Sequence, residues 1–182
     1  MRGPADDVDN ITLRRLTIGC TVAAVAVFAM LAMLDQQLKP ALPGGIVSLQ
    51  LAMTSERSAD LVAAMSPDQR LWCGFGLGAD YFFMLLYPSA VVFGVTLAGR
   101  LLQARRRALA AVGPLVAWAM VMGGLADAVE NALLMAALLG HHDGAPIASA
   151  MAVLKFLALG TGLFFCAMAA RMGRGPTAVD NA

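Results

Sequence analysis

The chain has 182 residues, of which 59% are hydrophobic and 14% are charged, and its formal net charge is +1. Soluble domains carry about 25% charged residues, so this composition excludes a soluble domain, a disordered chain and a coiled coil, and indicates an integral membrane protein. The near-neutral charge, without a sustained basic stripe, also argues against a protein that binds nucleic acid.

Four stretches are long and apolar enough to cross a bilayer, which takes roughly 20 residues in a helix. Their apolar residues run continuously and do not alternate with polar ones, so they predict helices rather than strands. The predicted fold is all-α, with four transmembrane helices in an antiparallel bundle. The predicted spans cover residues 16–34, 81–99, 108–140 and 144–170.

Basic residues predict the orientation of these spans. Nine of the 13 lysines and arginines flank the spans on one side. The positive-inside rule places this side, and with it both termini, in the cytoplasm. A cleaved signal peptide is the competing interpretation of the first span, although its apolar run is long for one. The nine residues are Arg2, Arg14, Arg15, Arg100, Arg105, Arg106, Arg107, Arg171 and Arg174.

The chain is expected to form a single membrane domain over residues 1–182. Residues 1–15 and 171–182 are the predicted cytoplasmic tails, and 35–71 form an external link. In this link Thr54 or Ser55 is the predicted N-cap of a short amphipathic helix, which we expect to lie on the membrane surface or to cap the bundle. Ser66, Pro67 and Gln69 match a helix-start pattern. The helix of the second span is therefore expected to begin outside the bilayer and to continue unbroken.

Polar residues inside the spans are the most informative feature of the sequence. Asp127, Glu130 and Asn131 share one helix face because they are spaced i, i+3 and i+4. Lys155 is the only cation in any span, and two polar residues share a face of the second helix, seven positions apart. At about 1.5 Å per residue, all of them fall in the outer half of the bundle. The expected polar pocket comprises Asp80, Tyr87, Asp127, Glu130, Asn131 and Lys155.

The charge balance of this set leads to a functional prediction. Each central charge costs about 2.5–3.5 kcal/mol on the insertion scale, and Lys155 balances one carboxylate. At least one carboxylate remains to be protonated, hydrated or matched by a bound cation or ligand. The leading interpretation is binding of a lipid-like or small cationic ligand, or a subunit role in a membrane assembly. The alternatives are an ion pair that only fixes helix register and an intramembrane enzyme acting on a lipid or isoprenoid, with Glu130 or Asp127 as acid–base.

Other residues give weaker signals. His141 and His142 stand beside Asp143 at a helix end, and adjacent helical side chains point about 100° apart, so no metal site is expected. The three cysteines lack a C-x-x-C motif, which argues against a quinone-linked disulfide oxidoreductase. The sequence assigns no cofactor. Gly74 and Gly78 have G-x-x-x-G spacing, which leaves association into a homo-oligomer open.

Three segments, at residues 77–87, 124–133 and 154–156, resemble a widespread family of small four-span bacterial membrane proteins. That family has a D-x-x-E-N signature in span three and a lysine in span four. Here the signature is formed by Asp127, Glu130 and Asn131, and the lysine is Lys155. The resemblance covers about residues 49–170. It implies the four-span architecture, a bacterial inner membrane and the polar set, but no catalytic role.

Overall fold

A computed structural model describes residues 1–103 and 106–172. Arg105, Arg174 and the rest of the predicted C-terminal tail from residue 173 onwards lie outside the described residues. No strand occurs in the described part of the chain, and the prediction of an all-α fold is confirmed. The helices are α1 Asn10–Asp35, α2 Ile46–Gln50, α3 Ser55–Ala64, α4 Pro67–Gln103, α5 Arg107–Ala110, α6 Gly113–Leu138 and α7 Ala145–Met172.

Within the described residues, four segments are long and apolar enough to cross a membrane: α1, α4, α5 together with α6, and α7. The shortest, α1, has 26 residues and is about 39 Å long at 1.5 Å per residue. This exceeds the hydrocarbon core of a bilayer, which is roughly 30 Å thick. The prediction of four spans is confirmed, and the helices indicate a multi-pass membrane protein.

Helix α4 is the centre of the bundle, since it packs against α1, α6 and α7. Helix α1 runs antiparallel to α4: Arg100 Nη1, near the end of α4, donates a hydrogen bond to Asn10 Oδ1 at the start of α1 (2.7 Å). Farther along the pair, the rings of Phe28 and Phe83 lie 6.1 Å apart. Helix α1 packs mainly on α4, so most of its apolar surface faces outward.

Side-chain caps begin three of the helices. Asp9 Oδ1 accepts hydrogen bonds from two amides in the first turn of α1, and Thr54 Oγ1 accepts one at the start of α3. Ser66 and Gln69 bond reciprocally, each side chain accepting from the other residue's backbone amide. The predicted cap at Thr54 and the predicted capping box are confirmed. Helix α4 then continues without a break through Pro88.

The link between α1 and α4 caps one end of the bundle, which we call the cap end. Helices α2 and α3 pack against α6 and α7 there. Hydrogen bonds join the link to this side of the bundle: Met53 N donates to Ser149 Oγ of α7 (3.0 Å), and Ser58 Oγ pairs with His142 Nδ1 in the turn between α6 and α7 (3.2 Å). The apolar side chains of the link form a second core, which includes Leu49.

The N-terminal segment, residues 1–9, covers the opposite end of the bundle. We call this end the basic end because Arg100 and Arg107 lie there. Helix α1 begins at Asn10, so only the first nine residues of the predicted tail precede it. Ala5 is buried, Arg100 Nη2 donates to Asp6 O (2.7 Å), and Trp118 Nε1 donates to Arg2 O (3.0 Å). These contacts fix the segment on the ends of α4 and α6. This docking could not be expected from a short polar sequence.

Candidate functional site

Three helices carry the six predicted polar residues, and close packing brings these helices together. A Cβ on Gly123 would lie 2.7 Å from Ala158 Cβ of α7, and a Cβ on Gly124 would lie 3.1 Å from Pro88 Cγ of α4. Consecutive glycines therefore let α6 approach both of its neighbours one turn before Asp127. The close approach explains how side chains from α4, α6 and α7 reach one another.

Lys155, Asp127 and Tyr87 form the deepest part of the site. Lys155 Nζ lies 2.8 Å from Asp127 Oδ1, and Tyr87 OH donates to Asp127 Oδ2 at 2.8 Å. Each residue lies within four positions of the middle of its helix. Both oxygens of Asp127 have a donor, so its negative charge is stabilised by a cation and a hydroxyl group.

Glu130 shares the same lysine but is less well satisfied. Its Oε2 lies 2.8 Å from Lys155 Nζ, within ion-pair distance but without the alignment of a hydrogen bond. Its Oε1 is buried and has no hydrogen-bond partner among the described residues. Glu130 has 0% of its surface exposed. Burying a carboxylate without hydrogen-bond partners costs free energy. The negative charge of Glu130 is therefore less well stabilised than that of Asp127.

Asn131 and Asp80 extend the site towards the cap end. Asn131 Nδ2 donates to Asp80 Oδ2 at 2.7 Å and lies 3.4 Å from the backbone oxygen of Leu77. Asn131 Oδ1 is buried without a partner among the described residues. Asp80 is the one member of the set that is only partly buried. It lies about 10 Å along α4 from Tyr87, at 1.5 Å per residue.

The structure brings all six predicted residues into one group, which we call the polar cluster. Proximity of Lys155 to Asp127 or Glu130 was expected, and the structure places both carboxyl groups 2.8 Å from Lys155 Nζ. The cluster runs from the middle of the bundle to the partly exposed Asp80, as matched depths on three helices predict. Ligand binding by these residues stays a prediction. The sequence did not reveal the backbone oxygen of Leu77 as a partner, because its availability depends on how two helices pack.

The polar cluster is a packed interior rather than an open pocket. A groove of about 570 Å³ lies outside it, between α6 and α7. The lining of this groove is mostly apolar and includes Gly123 and Ala158, where α6 and α7 approach closely. None of the six cluster residues lines this groove. Glu130 has no exposed surface, and Asp80 is the cluster member that is partly exposed.

Charge in the polar cluster is unbalanced. It holds the carboxyl groups of Asp80, Asp127 and Glu130 and the single ammonium group of Lys155. Taking a charge out of water costs several kcal/mol unless a partner and further hydrogen bonds compensate. Three buried acceptors lack a hydrogen-bond partner in the described part of the chain, the two carboxyl oxygens of Glu130 and Asn131 Oδ1, and they belong to consecutive residues. The arrangement therefore favours an additional proton, or a cation with hydrogen-bond donors.

The other sequence signals lie apart from the polar cluster. His142 bonds to Ser58 in the cap, and His141 is exposed beside it. The three cysteines are free. A Cβ on Gly74 would contact Leu138 of α6, so this glycine serves packing within the chain.

Comparisons with known proteins add no relative. Neither the protein-family models nor the curated proteins nor the solved structures contain a match to this chain.

Proposed function

We propose that this protein resides in the bacterial inner membrane and that its polar cluster binds a small cationic or lipid-like ligand that carries a positive charge. One observation carries the proposal. Glu130 is a fully buried carboxyl group that shares its only cation with Asp127, and its Oε1 has no partner among the described residues. A site built only to fix helix register needs one acid and one base.

The hydrogen bonds indicate the chemistry of the ligand. Asp127 already has a donor at each oxygen, from Lys155 and Tyr87, so it needs nothing further. Three buried side-chain atoms lack a hydrogen-bond partner among the described residues, and all three are acceptors: Glu130 Oε1, Glu130 Oε2 and Asn131 Oδ1. Of these, Glu130 Oε2 lies within ion-pair distance of Lys155 Nζ. A neutral donor would satisfy an oxygen but leave the surplus charge. An ammonium group supplies N–H donors and a positive charge together, and we propose a ligand of this class.

The entry route follows from the exposure of the cluster residues. Asp80 is partly exposed and lies towards the cap end, whereas Asn131 and Glu130 are fully buried. A cation arriving from the cap end meets the carboxylate of Asp80 first. It then reaches Asn131 and Glu130 by displacing the hydrogen bond between Asn131 and Asp80. The opposite charges of ligand and Asp80 favour this approach.

The orientation is also a proposal. The basic end lies in the cytoplasm, and the cap end faces outward, because arginines gather at the basic end. We further propose that the chain belongs to the small four-span bacterial family that its D-x-x-E-N signature and span-four lysine resemble. The exposed apolar side of α1 is available to lipid or to another subunit, which keeps a role in a membrane assembly within the proposal.

The test compares two glutamine variants of the purified protein in detergent. Glu130→Gln removes the surplus carboxylate, and Glu56→Gln makes the same change at the exposed glutamate of α3. The probes are sodium ion, an alkylammonium salt and phosphatidylethanolamine, and the readout is the shift in melting temperature. A ligand at 100 times its Kd stabilises the folded state by about 2.7 kcal/mol.

We expect a saturable shift with the alkylammonium salt or phosphatidylethanolamine in the wild type and in Glu56→Gln, and none in folded Glu130→Gln. An unchanged shift in Glu130→Gln, no shift with either ammonium probe in the wild type, or a shift with sodium ion alone refutes the proposal. The alternative of an intramembrane enzyme makes a different prediction. A lipid or isoprenoid that copurifies with the wild type would be converted to a product on incubation, and mass spectrometry would detect it.

A further inference from the structure

A second cavity lies at the basic end, far from the polar cluster. It has a volume of about 880 Å³, is partly open to the surface, and is bordered by the N-terminal segment, the last turns of α4, α5 and the start of α6. We propose that it binds the phosphate headgroup of an anionic phospholipid. Its polar and charged lining residues are Asp6, Thr96, Arg100, Gln103 and Arg107.

Arg100 is held in position for an anion. Its Nη1 donates to Asn10 Oδ1 and its Nη2 donates to the backbone oxygen of Asp6, both at 2.7 Å. A guanidinium group has five N–H donors, and these two hydrogen bonds use two of them. The two hydrogen bonds restrict the side chain before anything binds, which lowers the entropy that binding would cost.

Arg107 and Gln103 stand at the exposed rim of the cavity. Arg107 adds a second positive charge, and Gln103 adds an amide donor. The carboxylate of Asp6 also lines the cavity, but its Oδ2 accepts a hydrogen bond from Gly3 N (2.6 Å). Two arginines against one acid leave the lining net positive, and arginine is suited to phosphate because its N–H groups form a planar fork.

The remaining lining selects a lipid rather than a free phosphate ion. Val95, Ala110, Ala111 and Pro114 give the cavity an apolar side. The site lies where α4 ends and α6 begins, which is the level of lipid headgroups if these helices span the bilayer. A phospholipid places its phosphate next to apolar glycerol and acyl groups at this depth. Inorganic phosphate would use only the polar side.

A pair of neighbouring arginines provides the test. Arg107→Gln removes a charge from the cavity, and Arg106→Gln removes the same charge one residue away, at an exposed position outside the lining. Both side chains are exposed, so both variants should fold. Native mass spectrometry measures how much phosphatidylglycerol and phosphatidylcholine each protein retains, and thermal shift measures the response to inorganic phosphate.

We expect the wild type and Arg106→Gln to retain one phosphatidylglycerol in preference to phosphatidylcholine. The preference should fall about tenfold or more in Arg107→Gln, as for loss of a charged hydrogen bond. If both variants lose this preference for phosphatidylglycerol to the same extent, the lipid is attracted by surface charge in general, and the proposal is overturned. A thermal shift with inorganic phosphate that equals the one with phosphatidylglycerol would overturn the assignment to a lipid.

Discussion

Replacing Lys155 with methionine removes the ammonium group that two buried carboxyl groups share. Asp127 Oδ1 and Glu130 Oε2 each lie 2.8 Å from Lys155 Nζ, and both residues are at most 1% exposed. Breaking a buried ion pair by removing one partner costs about 3–5 kcal/mol, because a charge remains without compensation. For a chain of this size, that corresponds to a fall in melting temperature on the order of 10 °C.

Replacing Glu130 with glutamine should have a much smaller effect. The ion pair of Lys155 with Asp127 and the hydrogen bond from Tyr87 both remain, and the second fully buried carboxyl group that shares Lys155 is gone. We expect the free energy of unfolding to change by about 1 kcal/mol or less, since the pair that remains is electrically balanced. The two variants should therefore differ by about 3 kcal/mol, although both remove a charge from the same cluster.

The assay is thermal unfolding in detergent, with a matched control for each variant. Lys39→Met and Glu56→Gln make the same chemical changes at exposed positions and should leave the melting temperature near that of the wild type. If Lys155→Met is as stable as Lys39→Met, the lysine does not compensate buried charge. If Glu130→Gln is as unstable as Lys155→Met, Glu130 is a needed partner of the lysine rather than a surplus acid.

Three further predictions follow from particular contacts. Tyr87→Phe removes the hydroxyl group that donates to Asp127 and should lower the free energy of unfolding by about 1.5–3 kcal/mol. Tyr81→Phe, at an exposed site, should lower it by less, and equal effects would contradict the role of the Tyr87 hydroxyl group. Gly123→Ala should destabilise by about 1–3 kcal/mol through overpacking against α7, whereas Gly160→Ala, with open space at its Cβ, should be neutral in the same thermal assay. Reporter fusions in α3 should read external and fusions between α4 and α5 cytoplasmic; a cytoplasmic signal from α3 would reverse the proposed orientation.

Local features of the sequence determined much of the fold. The length of the apolar runs located four spans, because a helix in lipid must satisfy its own backbone hydrogen bonds. The capping residues located the starts of α3 and α4, since a cap bonds within a few positions along the chain. Helical periodicity placed Asp127, Glu130 and Asn131 on one face. The rise of about 1.5 Å per residue along a helix placed Lys155 at nearly the same depth in the bundle as these three residues.

Only the tertiary structure decided which atoms meet. The depth of a residue follows from its position along a helix, but its partners depend on how each helix is rotated about its axis and how closely it approaches its neighbours. Packing at Gly123 and Gly124 sets these quantities for α6. For this reason the sequence could not show that Lys155 serves two carboxyl groups at once. Nor could it show that Asn131 pairs with Asp80 while its own Oδ1 has no hydrogen-bond partner among the described residues.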